Sequence, residues 1–208
     1  RSDVNAYTGE YNYPFTVSPS GNSSIRGNLQ VANVDVDPSL NPDARYFIEA
    51  QYVTEDEATA GNQMNNASWR EIGFSSISNP YAISNGPDAT NPAESAIRAW
   101  TIIDPTVRLT TTYVPNDGKI IVGSKVFDNG DGTFDYFYAV YNMNSDRCIG
   151  NVSFPTGVSS TTNLGFHDVD NNSGEIYSNT DWQSSVVDGV LSWGTETYEQ
   201  NENANALR

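Results

Sequence analysis

The chain has 208 residues, 26 of them acidic and 10 basic, so its net charge is −16 at pH 7. This acidic balance excludes nucleic acid as a partner class, because phosphate binding requires basic patches. A chain of this length can bury about 70% of its surface on folding, which is enough for one all-β domain without disulfides. No apolar run approaches the ~18 residues of a transmembrane helix, so no membrane span is expected.

The first 28 residues are rich in Asn, Ser, Gly, Pro and Tyr and show no regular period. They predict an extended N-terminal arm packed on the body, and residues 29–208 predict a single β-sandwich domain. Four aromatic side chains could hold the arm in place, at about 1.5–3 kcal/mol for each large side chain that is buried. They are Tyr7, Tyr11, Tyr13 and Phe15.

The first predicted strand is Leu29–Val36, whose apolar residues alternate imperfectly. The second is Tyr46–Tyr52, where apolar residues alternate with Glu and Gln in the pattern of a half-buried strand. Thr54 and Glu57 then form a capping box, and Gly61 is suited to end the helix that follows. This is the one short helix that the sequence predicts with clear start and stop signals.

Ala96–Ile103 fits either a strand or a short helix, and the pattern does not decide between them. Thr133–Met143 carries apolar residues on both faces, which predicts a central strand. Turns rich in Asn, Asp and Gly separate the other predicted strands, which are Ser68–Phe74, Leu109–Val114, Lys119–Val126, Cys148–Phe154, Val158–Val169, Asp181–Val187 and Leu191–Tyr198. About nine to eleven short strands predict an all-β fold, a β-sandwich or jelly roll.

The segment Gly165–Glu175, GFHDVDNNSGE, is the best candidate metal site. Asp168, Asp170 and Asn172 stand at alternate positions, and Glu175 follows them, so oxygen ligands could converge on Ca²⁺. The Gly that an EF-hand needs comes one residue late and its twelfth position holds Asn, so this is not an EF-hand. The alternative is a strand that ends in a turn whose Asp and Asn side chains bond their own backbone.

Catalysis has only weak support in the sequence. His167 is the single histidine and Cys148 the single cysteine, so zinc and copper sites lack a ligand set. No nucleophile elbow is present to support a serine triad. A carbohydrate-active enzyme remains the alternative, either a glycoside hydrolase with a carboxylate pair or a polysaccharide lyase that uses His167 or Tyr177 as base and Arg147 against a uronate.

Glycan binding is a further alternative, since exposed tryptophans stack on sugar rings. Trp182 lies beside Asp181 in a polar setting, which makes it the tryptophan most expected near the surface. Trp182 and Asp181 are therefore the predicted ligand-binding pair.

Four segments, AVYNMNSDRCIG, GFHDVD with SGEIY, TDW and NANALR, resemble a family of uncharacterised secreted proteins of planctomycetes and allied environmental bacteria. The resemblance implies an exported, β-rich bacterial protein made as a longer precursor, and it implies no catalytic residues. Together with the composition, it predicts a secreted or cell-surface domain without catalytic activity. Such a domain would act in binding, adhesion or homomeric surface assembly, with Ca²⁺ as a candidate stabilising ion.

Overall fold

A computed structural model describes residues 3–16, 18, 22–23, 26, 29–74, 83–157, 161–171 and 175–208. The chain divides into two compact units, Arg1–Asp146 and Arg147–Arg208. The described residues form ten strands in three antiparallel sheets, which confirms the predicted all-β class. Much of the predicted arm, and Asn172 of the predicted metal site, lie outside the described residues.

The first sheet belongs to the first unit and is built around one long strand. Strand β2 (Ala67–Phe74) pairs along one edge with β1 (Tyr46–Gln51). Its other edge pairs with two short strands, β3 (Ile83–Asn85) and β4 (Asn91–Pro92). The strands predicted from alternation at Tyr46–Tyr52 and Ser68–Phe74 are thus confirmed to within a residue or two.

The second sheet, also in the first unit, is a meander of β5 (Arg108–Val114), β6 (Gly118–Asp128) and β7 (Phe134–Asn142). Both predicted hairpins are confirmed, but the strand order β5-β6-β7 puts β6 in the centre. The prediction that the strand at Thr133–Met143 is central is therefore wrong. Apolar residues do occupy both faces of β7, but in its outer part both faces are exposed rather than buried.

The described residues include three short helices, whereas the sequence clearly predicts one and leaves Ala96–Ile103 open. α2 (Glu55–Thr59) is the expected one, and the Thr54 hydroxyl accepts a hydrogen bond from the Glu57 amide at 3.2 Å. α3 (Arg98–Ile103) resolves the undecided segment as a helix. α1 (Asn33–Val36) lies where a strand was predicted, so that prediction is wrong. Only Val36 of this helical turn is buried, so the segment lacks the buried face that the alternation predicted.

The core of the first unit lies where α3 and the two sheets meet. Gly123 of β6 has no side chain, and the Trp100 ring of α3 fills the space where a Cβ would stand. On the first sheet the Phe47 and Trp69 rings pack edge to face, with 5.6 Å between their centroids. Gly9 of the arm lies against the backbone of Thr54, the N-cap of α2. Tyr13 is 86% exposed and so does not anchor the arm.

The second unit contains the third sheet. Its central strand is β10 (Val190–Gly194), which pairs with β8 (Asn151–Pro155) and β9 (Gln183–Val187). Residues 161–169 form no strand, so the prediction of a strand over Val158–Val169 is wrong for its described part, and residues 158–160 lie outside the described residues. Within the described part of the chain, no helix is long and apolar enough to cross a membrane.

Candidate functional site

One predicted metal residue, Asp168, and one predicted ligand-binding residue, Trp182, are hydrogen-bonded in the second unit to Asn205, which is buried. Its Nδ2 donates to Asp168 Oδ2 at 2.6 Å and to the Thr180 carbonyl at 3.0 Å. Its own carbonyl accepts a hydrogen bond from Trp182 Nε1 at 2.5 Å. The Trp182 ring stacks on Phe166 with a centroid distance of 5.3 Å. These five residues, Phe166, Asp168, Thr180, Trp182 and Asn205, are called the Asn205 cluster below.

The cluster gives Asp168 a structural partner at the position predicted to bind calcium. Asp170 and Glu175 are exposed, and Asn172 lies outside the described residues. Among the residues that the structure describes, no three His, Cys, Asp or Glu side chains form a group able to hold a metal ion. Calcium binding at this segment stays a prediction, and the geometry adds a competing role for Asp168 as a hydrogen-bond acceptor.

The environment of Trp182 differs from the predicted one. The residue is only 7% exposed, so the expectation that its ring lies at the surface is wrong. Trp182 is buried because its indole N–H donates to the Asn205 carbonyl inside the unit and its ring stacks on Phe166. Asp181 beside it is exposed. Glycan binding by this pair stays a prediction, but a glycan would not meet the Trp182 ring at an open surface.

The three residues considered for lyase chemistry have separate environments. His167 and Arg147 are exposed. The Tyr177 ring lies under the Arg208 guanidinium, with 3.2 Å from the Arg208 Cζ to the ring centroid. No contact described in the structure joins His167, Tyr177 and Arg147 to one another.

The first unit contains a polar network that the sequence reasoning missed. Both oxygens of the Glu49 carboxylate accept hydrogen bonds, Oε1 from the Tyr141 hydroxyl and from Gln51 Nε2, and Oε2 from the Ala96 amide at 2.6 Å. Gln51 Nε2 also donates to the Met143 carbonyl at 2.9 Å. The network connects β1 of the first sheet with the end of β7 in the second. The alternation predicts that Glu49 and Gln51 lie on the polar side of a half-buried strand. Alternation alone does not show that this side faces another sheet.

A concave cavity of about 480 Å³ borders this network. Its polar lining is Glu49, Gln51 and Tyr141, and its apolar lining is Ala96, Ile97, Ala139 and Val140. Burial, reinforced by the Glu49 carboxylate, raises the pKa of Tyr141 well above its usual range. Burial likewise lowers the pKa of Lys119, an effect that Glu49 opposes. At this cavity the neutral Tyr141 phenol donates a hydrogen bond to the Glu49 carboxylate, and this bond joins the two sheets.

The turn after β7 is a second buried polar network. The Asp117 carboxylate accepts hydrogen bonds from the Ser145 hydroxyl and, at 3.0 Å, from the Asp146 amide. The Asn142 side chain accepts from the Ser145 amide at 2.8 Å and donates to the Ser145 carbonyl at 2.9 Å. Asn144 accepts from the Lys119 amide at 2.8 Å and is fully buried. These contacts hold Asn142, Asn144 and Ser145 of the segment AVYNMNSDRCIG inside the protein.

The outer part of the β6–β7 hairpin exposes several large apolar side chains. β5 pairs with β6 only as far as Ser124, so residues 125–137 continue as a two-stranded ribbon, the β6–β7 ribbon. Phe127, Tyr136 and Phe137 are 54%, 53% and 52% exposed, and Val126 and Phe134 are exposed to a similar degree. Asp128, Asp131 and Asp135 are exposed at and beside its tip. Lys125 at its base is bound to Asp104 at 2.6 Å.

Comparisons with protein-family models, with curated proteins and with solved structures found no match. The part of the chain that the structure describes has an all-β fold with three antiparallel sheets. Its function therefore has to be argued from its own surfaces.

Proposed function

We propose that the chain is a secreted or cell-surface β-domain that acts by binding or assembly rather than by catalysis, and that the β6–β7 ribbon is its interaction surface. The observation that carries the proposal is the set of large apolar side chains exposed on both faces of this ribbon. Soluble monomers rarely expose contiguous apolar patches beyond a few hundred Å² unless the patch binds something. The four aromatic side chains of the ribbon expose roughly 300–500 Å² summed over both faces, at about half of the 150–250 Å² of an aromatic side chain, which is in the range of about 300–600 Å² of the largest and often functional patch on a monomer.

The ribbon's construction supports an interaction role. A two-stranded hairpin is only marginally stable alone in water, and a third strand or a packed face is needed to support it. The ribbon has β5 beneath its base but no third strand among the described residues beyond Ser124. A partner that covers one of its faces, or pairs with its edge, would supply the missing support.

Paired measurements of binding and turnover test this proposal. Wild type, Phe127→Ser and His167→Ala would be compared for self-association, for retention on a panel of extracellular polysaccharides, and for release of reducing ends or unsaturated uronates. Phe127→Ser is expected to reduce association or retention at least fivefold, with the circular dichroism spectrum unchanged, whereas His167→Ala leaves both intact. Polysaccharide turnover that is lost in His167→Ala and kept in Phe127→Ser would overturn the proposal in favour of the carbohydrate-active enzyme.

A further inference from the structure

We infer that the cavity lined by β1, β7 and the segment before α3 is a binding site for a small primary alkylammonium ion, which is held by the Glu49 carboxylate. The site is separate from the proposed interaction surface, because none of the seven residues that line the cavity belongs to the β6–β7 ribbon. Its volume of about 480 Å³ lies within the range of about 300–1,000 Å³ of small-molecule sites. Such sites combine mostly apolar walls with a few polar groups that orient the ligand, and this cavity has that composition.

The polar groups at the cavity offer hydrogen-bond acceptors, because their donors are already used. The Tyr141 hydroxyl and the Ala96 amide both donate to the Glu49 carboxylate. Gln51 Nε2 donates to Glu49 Oε1 and to the Tyr141 hydroxyl, each at 3.2 Å, and to the Met143 carbonyl at 2.9 Å. Glu49 Oε2 accepts one hydrogen bond from the described residues and Gln51 Oε1 accepts none, whereas each of these oxygens can accept two. A ligand that completes this site must therefore be a donor.

The charge of the site selects a cation among the possible donors. Glu49 takes part in no ion pair with any residue that the structure describes, and the Lys119 ammonium donates to the Met64 carbonyl instead. A carboxylate that is partly removed from water is normally paired with a cation. A primary ammonium group supplies the positive charge together with three N–H donors. Since an alkylamine has a pKa near that of lysine, about 10.4, the ligand is protonated at neutral pH.

The walls of the cavity select an aliphatic chain on this ammonium group. They consist of Ala96, Ile97, Ala139 and Val140, which offer apolar surface and no charge. An inorganic cation would leave these walls uncovered, whereas an alkyl chain would be buried against them. Each buried methylene group should strengthen binding about fourfold. A short alkylammonium ion is therefore the ligand class that uses both the carboxylate and the apolar walls.

An NMR titration of the wild-type protein at about 0.15 M NaCl tests the inference with probes of equal chain length. The probes are n-hexylammonium, hexan-1-ol and hexanoate, each added up to about 20 mM. Hexylammonium is expected to bind at least tenfold more tightly than hexan-1-ol and to shift the Ala96 amide, which contacts Glu49. Hexanoate should not bind, and n-butylammonium should bind at least fivefold more weakly than hexylammonium. Equal binding of the alcohol and the amine, or no binding of hexylammonium, would overturn the inference.

Three variants test whether the charge and the walls of the cavity hold the probe. Glu49→Gln should weaken hexylammonium binding at least tenfold. Its matched control is Glu55→Gln, which removes the same charge from an exposed position on α2 and should change binding less than twofold. Ala139→Leu keeps Glu49 and fills the cavity from its wall, so it should weaken binding at least fivefold even if Glu49→Gln fails to fold. Equal weakening in Glu49→Gln and Glu55→Gln, or unchanged binding in a folded Ala139→Leu, would show that the probe does not occupy this cavity.

Discussion

Replacing Asn205 with Ala tests the hydrogen-bonded cluster that closes the second unit. The change removes the donor to the Asp168 carboxylate at 2.6 Å and the donor to the Thr180 carbonyl at 3.0 Å. Hydrogen bonds to charged groups contribute about 1.5–3 kcal/mol and neutral ones about 0.5–1.5 kcal/mol. Because Asp168 is only half-buried, water replaces part of the loss, so we expect the free energy of unfolding to fall by about 2–3 kcal/mol.

The assay is urea unfolding followed by tryptophan fluorescence, since Trp182 is bonded to the Asn205 carbonyl. With an m-value of about 2 kcal/mol per M, the midpoint should fall by roughly 1–1.5 M. Asn203→Ala is the matched control, because no side-chain hydrogen bond is described for this neighbouring asparagine; its midpoint should stay within about 0.3 M of wild type. A change in Asn205→Ala no larger than in the control would refute the reasoning.

Changes at Asp168 separate the hydrogen-bond role from the calcium role. Asp168→Asn keeps an oxygen that can accept from Asn205, whereas Asp168→Ala does not. We expect a coupling of about 1–2 kcal/mol between Asn205→Ala and Asp168→Ala in a double-mutant cycle. The wild-type midpoint should not depend on calcium if the hydrogen bond is the main role of Asp168. A rise in midpoint with calcium that disappears in Asp168→Asn and persists in Asn205→Ala would assign Asp168 to a metal ion instead.

Two further predictions concern the first unit. Gly118→Ala should lower the free energy of unfolding by about 3 kcal/mol, because the added methyl group would collide with the backbone of residues 144–145. The control Gly165→Ala, in the second unit, places its methyl group in open space and should be neutral in the same thermal or urea unfolding assay; equal effects would contradict this. Tyr141→Phe should flatten the pH dependence of stability above about pH 10. The raised pKa of Tyr141 means that the folded protein holds the phenol proton more firmly than the unfolded chain does, so wild-type stability is present below pH 10.0 and is lost as pH rises further. An identical slope in both proteins would show that the titration of Tyr141 does not control it.

The strands that the sequence predicted well are those whose signals are local. Two hairpins follow from turns rich in Asn, Asp and Gly between alternating segments, and both are present as β5–β6 and β6–β7. The α2 helix follows from its capping box, which needs only Thr54 and Glu57. Each of these signals lies within a few residues, so no knowledge of the remaining chain is required.

The errors arose where burial depends on distant residues. Apolar residues on both faces of β7 are compatible with a strand between two layers and with an exposed ribbon, and only the exposure of its side chains and its place at the end of the order β5-β6-β7 distinguish them. Trp182 looked exposed because its sequence neighbours are polar, but its partner Asn205 is 23 residues away. Asp168 and Asn205 are 37 residues apart, and no spacing rule connects them.

The residues that maintain the fold and the residues of the β6–β7 ribbon are largely different sets. Three of the four segments quoted for the predicted resemblance, GFHDVD, TDW and NANALR, supply all five residues of the Asn205 cluster. The fourth contains the buried turn at Asn142–Ser145. Residues of all four segments therefore take part in hydrogen bonds inside the protein, where an unpaired polar group is costly. The β6–β7 ribbon contributes nothing to either network, so its exposed aromatic residues need another physical reason, and a partner surface supplies one. Substitutions in the ribbon should accordingly change association without changing the midpoint of unfolding, and substitutions in the Asn205 cluster should do the reverse.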